Sequence, residues 1–278
     1  MPLQYNIDAK QAEQCLRDFL SYPLDEGTEI LERFAQLPNA RYVCGGEPLE
    51  RFVYIPGVRK DAVLLIAHVD TVWDKQYQNP GKGQPFTFDG SRFTSVDDNT
   101  GIGADDRAGC ALLWLLRELG HGLLLLDGEE KGHFAAKYIQ SQHKHLLREL
   151  NRYSYLLALD FPGKEFCHYH GIPVSRRFCK YVESEFSCRP YPKKFGSDLP
   201  YLSTSRCGVN IGIGYYLMHR KEEALELANW LEVYDKLYVL LQKPQASFRN
   251  RLDLRLYRYG EKKLKYLWSV LRRIGKVD

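Results

Sequence analysis

The sequence predicts an α/β protein, a three-layer sandwich with a mixed, mostly parallel central sheet flanked by helices. Three observations lead there. Continuous apolar runs at 62–68, 123–126 and 155–159 carry no helical period and read as strands buried on both faces. Amphipathic helical patterns alternate with these runs, which is the signature of α/β layering. Each run also ends in polar groups, and open α/β sheets bind ligands beyond the carboxyl ends of their strands.

The elements follow in order. Residues 9–21 and 25–36 have amphipathic helical spacing, and 41–44 and 51–55 read as short strands around Gly45-Gly46. After the first buried strand, 72–84 is a loop marked by Asn79-Pro80-Gly81. Residues 87–95 alternate around Asp89-Gly90, a hairpin signal. Ala108, Ala111, Leu112, Leu115 and Leu119 share one face of a helix that stops at Gly120. The second buried strand leads to a helix near 131–141, and the third ends at Asp160. Beyond it, 165–170 is strand-like, 174–186 helical, 209–217 a strand broken by Gly212 and Gly214, and 221–242 a long amphipathic helix.

Composition narrows the class. With 278 residues, 44% hydrophobic and 27% charged, the chain has the balance of a globular domain with a sizeable core. Its longest apolar runs, 62–67 and 110–116, fall well short of the roughly 18 residues a membrane-spanning helix needs. The start is polar, without the apolar core of a signal peptide. The seven cysteines are odd in number and lack CxxC spacing. A disulfide framework and a thiolate zinc knuckle are thereby disfavoured, and a cytoplasmic protein with reduced thiols is expected.

The net charge of +4 is uneven: residues 244–278 hold ten Lys/Arg against three Asp/Glu. This divides the chain into an α/β domain over 1–243 and a basic C-terminal extension over 244–278. Leu264, Leu267, Trp268, Leu271 and Ile274 recur at helical spacing. The extension is therefore expected to be an amphipathic helix packed on or beside the domain, in preference to a nucleic-acid surface.

The strand ends carry the chemistry. The first reads His68-Val69-Asp70, the second Asp127-Gly128-Glu129-Glu130, and the third ends at Asp160. Alternation puts His68 and Asp70 on one side of an extended chain, a spacing that suits a metal-bound imidazole oriented by a carboxylate. Glu129 and Glu130 point apart if extended, so one can bind metal while the other faces a bound water. Several carboxylates in one crevice repel each other unless cations neutralise them, and a divalent metal does so economically.

Five ordered motifs now resemble a known group: HVDT (68–71), GADDRAG (103–109), DGEEKG (127–132), LALD (157–160) and His219 in GYYLMHRKEEA. They are similar in kind and order to those of the co-catalytic zinc exopeptidases, a superfamily of peptidase T, lidless aminopeptidases, carboxypeptidase-like enzymes and N-acyl amino acid deacylases. The resemblance covers about residues 60–225, and Ser197-Asp198 also resembles a late Ser-Asp of the lidless aminopeptidases. It implies two Zn²⁺ ions, with Mn²⁺ or Co²⁺ as substitutes. His68 would bind one ion and His219 the other, with Asp105 bridging. Glu130 and Asp160 would each complete one ion, Asp70 would orient His68, and Glu129 would be the general base. Such ions, about 3.5–4 Å apart, acidify a water and polarise the scissile carbonyl. The resemblance further implies a cis peptide between Asp105 and Asp106.

Competing readings stand beside these. Asp97, Asp98 and Asp106 are rivals to Asp105, although Asp97 to Gly101 reads as a turn. His168 and His170 have the spacing of a metal pair but fall outside the motif order. Arg206 or Arg220 is either a carboxylate-recognising group or plain surface charge. Only 37 residues separate His68 from Asp105, and 59 separate Asp160 from His219, so neither gap accommodates a lid domain. Residues 71–84, 161–164 and 190–206 are then the expected pocket walls. The implied activity is cleavage of a peptide or amide bond by an aminopeptidase-type exopeptidase. The alternatives are an N-acyl amino acid deacylase and a non-catalytic scaffold whose basic tail binds a partner.

Overall fold

Leu65 and Ala67 face one hydrophobic core while Leu64 and Ile66 face another, because successive side chains of a strand point to opposite sides. Leu123 and Leu125 against Leu124 and Leu126 repeat the division, as do Leu157 and Leu159 against Leu156 and Ala158. A sheet buried on both faces needs a helical layer on each, and that requirement organises the molecule. The computed structural model describes residues 8–77 and 81–250.

Its elements are α1 (Ala9–Leu20), α2 (Thr28–Ala35), β1 (Arg41–Cys44), β2 (Arg51–Ile55), β3 (Leu64–His68), β4 (Phe86–Phe88), β5 (Arg92–Ser95), α3 (Ala104–Leu116), β6 (Gly122–Leu126), α4 (Phe134–Gln142) and α5 (Lys144–Leu150). They continue with β7 (Leu156–Phe161), β8 (Phe166–His168), α6 (Arg176–Phe186), β9 (Arg189–Pro190), α7 (Leu199–Leu202), β10 (Gly208–Gly212), β11 (Tyr215–Tyr216), β12 (Ala224–Glu226) and α8 (Leu227–Gln242). The main sheet has eight strands in the order β1-β2-β6-β3-β7-β10-β8-β9. Its centre, β6-β3-β7-β10, is parallel. Helices α1, α2, α3, α6 and α8 cover one face, and α4, α5 and α7 the other. A small antiparallel sheet, β11-β12-β5-β4, stands beside it.

Local chemistry accounts for several boundaries. The Asp8 carboxylate accepts from the Lys10 N–H at the start of α1, and the Ser175 hydroxyl accepts from the Phe178 N–H at the start of α6. Gly120 closes the α3 region at φ 75, a left-handed conformation that glycine adopts without a Cβ penalty. Arg107 is fully buried, and its guanidinium donates to the carbonyls of Val69, Pro23 and Glu26 at 2.5, 2.6 and 3.0 Å. It ties the loop between α1 and α2 to the chain leaving β3.

Two expectations change. The helix expected over 221–242 begins only at Leu227, because residues 224–226 pair with β5 and bury Leu225 opposite Phe93. Tertiary pairing overrides helical spacing there. The helix expected near 131–141 begins at Phe134, and a second short helix, α5, follows the non-helical His143. At the C-terminal side, residues 244–250 run back against the α/β domain. Phe248 is buried among Tyr155, Phe178 and Tyr181, and its N–H donates to Ser154 O. The amphipathic spacing at 264–274 lies outside the described residues. Among the described residues, no helix is long and apolar enough to cross a membrane.

Candidate metal centre and active site

The crevice opens where two parallel strands part. β3 stays paired with β6 as far as His68 opposite Leu126, but its pairing with β7 ends at Ile66 opposite Ala158. The His68 N–H therefore has no ladder partner on that side and donates to Asp106 Oδ2 at 3.1 Å. Into the gap project His68 from β3, Asp105 from the start of α3, Glu130 from the turn after β6, Asp160 from β7, and His219 from the turn before β12.

Their donor atoms form two groups that share one residue. His68 Nε2 is 3.1 Å from Asp105 Oδ1 and 3.4 Å from Asp160 Oδ1. His219 Nε2 is 3.2 Å from Asp105 Oδ2 and 2.8 Å from Glu130 Oε1. Asp105 thus offers one carboxylate oxygen to each group. Within each group the donor atoms lie within 4.8 Å of one another, so each can hold a metal ion. Ligands about 2.0–2.1 Å from a tetrahedral zinc stand about 3.3 Å apart, which is close to most of these separations. Glu130 Oε1, although 2.8 Å from His219 Nε2, is buried without a hydrogen-bond partner. That is the arrangement of two atoms aimed at a common third point. An all-nitrogen-and-oxygen donor set of this kind fits Zn²⁺, Mn²⁺ or Co²⁺.

The electrostatics point the same way. Burial pulls the His68 imidazole down, but Asp160, Asp105 and Asp70 override it and hold it well above its usual range. The Asp105 and Glu130 carboxylates beside it raise His219 to about 10. Burial pushes Asp160 well above the usual carboxylate range and Glu130 to about 7. The imidazoles and the Asp160 and Glu130 carboxyls are thus shifted toward holding protons, while Asp105, flanked by both imidazoles, is held below the usual carboxylate range despite its burial. A divalent ion can replace those protons.

The neighbouring groups sort themselves by contact. His68 Nδ1 is 3.1 Å from the Asp70 carbonyl and 3.4 Å from its carboxylate, so Asp70 faces the nitrogen directed away from the donor group. Glu129 and Glu130 lie on a turn rather than in an extended segment, a correction to the simple alternation argument. Their backbone N–H groups donate to Asp70 Oδ1 and Oδ2, each at 3.0 Å. The side chains still diverge, Glu130 toward His219 and Glu129 toward His133. Asp106 turns away and accepts from the Gly109 and His68 N–H groups, and its peptide bond with Asp105 is cis. Asp97 caps its own turn by accepting from Asn99 N. His168 and His170 contact the carbonyls of Lys193 and Phe195, outside both donor groups. Arg206 is bonded to Asn151 O and Ser247 Oγ and does not line the crevice.

A cavity of about 240 Å³ lies over the donor groups. Asp105, Glu129, Glu130, Asp160 and His219 form its polar end, and Phe161, Pro162, Phe195 and Met218 its apolar side. Of the expected walls, 161–164 and 190–206 contribute lining residues, whereas 71–84 contribute none among the described residues.

No family model matches the chain, and no curated protein matches it by sequence. Solved structures do. The aminopeptidase PepT of Bacillus cereus superposes with a TM-score of 0.61 at 14% identity, over 85% of this chain and 98% of that one. A tripeptidase of Staphylococcus aureus gives 0.59 at 12% identity, over 85% and 100%. The TET1 peptidase of Pyrococcus horikoshii gives 0.56 at 13% identity, over 83% and 99%. The chain shares its α/β fold with these peptidases.

Within this fold, sequence reasoning missed several residues that shape the site. Asn210 on β10 accepts from the Asp160 N–H at 3.0 Å and donates to the Asp160 carbonyl at 2.7 Å. Tyr215 OH donates to Asp160 Oδ1 at 3.3 Å. His133 lines the cavity, with Nδ1 3.2 Å from Glu129 Oε1 and 3.3 Å from Asp198 Oδ1. Only Asp198 had a signal, the Ser-Asp resemblance. The others are brought in by strand order and turns that no local pattern encodes. His219 itself has φ 62, an uncommon conformation for a residue with a side chain and one that collects at functional sites.

Proposed function

We propose that the chain is a two-metal hydrolase that cleaves a peptide or amide bond, acting as an aminopeptidase-type exopeptidase. The observation that carries this reading is the shared residue: Asp105 directs Oδ1 to His68 and Asp160, and Oδ2 to His219 and Glu130. In this reading His68, Asp105 and Asp160 hold one ion and Asp105, Glu130 and His219 the other, Zn²⁺ being the first choice. Two divalent ions so held supply Lewis-acid polarisation of the scissile carbonyl and acidify a water.

The protein's own groups supply the rest. Glu129 lines the cavity beside His133 without belonging to either donor group, so its carboxylate is placed to take the proton of the attacking water and pass it to the leaving amine nitrogen. Asp70 fixes the turn from which Glu129 projects and faces His68 Nδ1. The apolar side, Phe161, Pro162, Phe195 and Met218, accommodates the substrate and excludes water beside the reacting bond.

The cavity lining favours aminopeptidase over deacylase. An N-acyl amino acid presents a free carboxylate, yet no Lys or Arg lines the cavity among the described residues. A protonated amine, by contrast, meets an acidic end. The intact donor set with Glu129 weighs against a scaffold, which has no need of it. A cytoplasmic setting accords with seven unpaired thiols.

The test combines metal analysis with a substrate panel. Purified protein should hold two equivalents of metal and cleave aminoacyl amides faster than N-acyl amino acids. Glu129→Gln should retain both ions and lose turnover by at least about 100-fold. Unchanged turnover in that variant removes the mechanism, and a metal-free, inactive wild type after zinc loading removes the function.

A further inference from the structure

Glu223 lies four residues after His219 and is completely buried. Its side chain is unusual in what it pairs with. Oε2 accepts the Gly103 N–H at 2.8 Å and Oε1 accepts the Asp105 N–H at 3.0 Å. Those amides belong to the irregular start of α3, where Gly103 has φ 68 and Asp105 has ψ 97. Neither can be satisfied by the helix, and a buried amide without an acceptor is costly. The packing is tight: a Cβ placed on Gly101 would lie 2.4 Å from Glu223 Oε2. The Arg220 N–H donates to Leu217 O across the turn that carries His219, the Glu223 N–H donates to Arg220 O in the turn that follows, and β12 begins at the next residue.

One carboxylate therefore joins the segment that presents Asp105 to the segment that presents His219. The two ligand side chains meet at 3.2 Å, and the stitch beneath them is the Glu223 carboxylate. The other donor group is built differently. Its own members His68 and Asp160 are held by β3 and β7 and by Asn210, and Glu223 reaches this group only through the shared Asp105. His219 is also the more exposed imidazole, its side chain 45% accessible against 3% for His68. His219 thus sits on a turn that leads directly into one anchored by the buried Glu223.

We propose that Glu223 is a positioning residue that sets the separation of His219 from Asp105, and so governs cation binding in the group formed by Asp105, Glu130 and His219. This rests on the two-metal reading above. Glu223 touches neither substrate nor ion. A carboxylate is required because two N–H donors must be accepted at once; a glutamine presents one oxygen and turns an NH₂ against the second amide.

The experiment titrates metal-free protein with Zn²⁺ and with Co²⁺, reading stoichiometry by calorimetry against a competing chelator and ligand field by the Co²⁺ absorption spectrum. Wild type should show two binding steps. Glu223→Gln should keep the tighter step within about threefold and weaken the other by about 10–100-fold, the range expected when a group supporting a ligand is lost. Its kcat should fall at limiting zinc and recover as free zinc is raised, with KM little changed. If the Gln variant does not fold, Glu223→Asp serves. It keeps the charge on an arm too short to reach both amides, and should show the same selective loss. Two steps with wild-type affinities, or equal weakening of both, overturns the proposal while leaving the two-metal reading intact. A wild type that binds no second ion overturns that reading instead.

Discussion

Asp70 Oδ1 accepts the backbone N–H of Glu129 at 3.0 Å, while Asp70 Oδ2 accepts from Glu130 at the same distance. One carboxylate at the end of β3 therefore fixes the turn after β6 that carries both the proposed base and a proposed ligand, and also faces His68 Nδ1. The consequence is that Asp70 controls the geometry of two elements, beyond the orientation of a single imidazole. Asp70→Asn retains the shape but presents an NH₂ to one of the two amides. Its kcat/KM should fall about 10–100-fold, with a measurable loss of metal affinity by chelator competition. Wild-type kcat/KM in this variant would show that the turn holds its geometry without the second acceptor.

Asn210 performs a similar task for Asp160. Its side chain satisfies both backbone groups of Asp160, as acceptor at 3.0 Å and donor at 2.7 Å, inside the sheet. Asn210→Leu keeps the volume and strands both groups. The expected cost is about 1–3 kcal/mol of stability, read as a fall in Tm of about 2–4 °C per kcal/mol. The same variant should lose metal from the His68 position first, which a stoichiometry measurement at limiting zinc will show.

His121, remote from the crevice, gives the fold an acid-sensitive point. Burial lowers its pKa below the ordinary imidazole value. Nδ1 accepts the Val63 N–H at 3.0 Å and Nε2 reaches the Leu241 carbonyl at 2.8 Å, so the neutral tautomer is the one that fits. An added proton on Nδ1 would face another N–H. As pH drops below about 6.5 the unfolded chain takes up a proton that the folded chain refuses, and stability falls with pH until the depressed folded value is reached. His121→Asn, which keeps an acceptor for Val63, should flatten the slope of unfolding free energy below about pH 6.5. Denaturant titrations at several pH values measure this, and an unchanged slope would assign it to other groups.

The sequence by itself determined the layering. The runs at 64–68, 122–126 and 156–161 are apolar at nearly every position, and a strand with no polar face has only one stable setting, between two layers. It also determined the chemistry available, because His68, Asp105, Glu130, Asp160 and His219 carry nitrogen and oxygen donors whatever their arrangement. Strand ends close to 41–44 and 51–55 were legible because turns and alternation are local signals. The tertiary structure alone decided which donors face each other. Asp106 carries the same carboxylate side chain as Asp105 and is directly adjacent, yet it turns to cap His68 N and Gly109 N. Residues 224–226 form a strand because β5 is there to receive them. Asn210, His133 and Glu223 act through contacts spanning 50 residues or more, or through a turn, and long-range pairing leaves no periodicity in the chain. Propensity and spacing act over a few residues; the meeting of Glu223 with the Gly103 and Asp105 amides, 120 and 118 residues away, exists only once the sheet order has brought the two segments side by side.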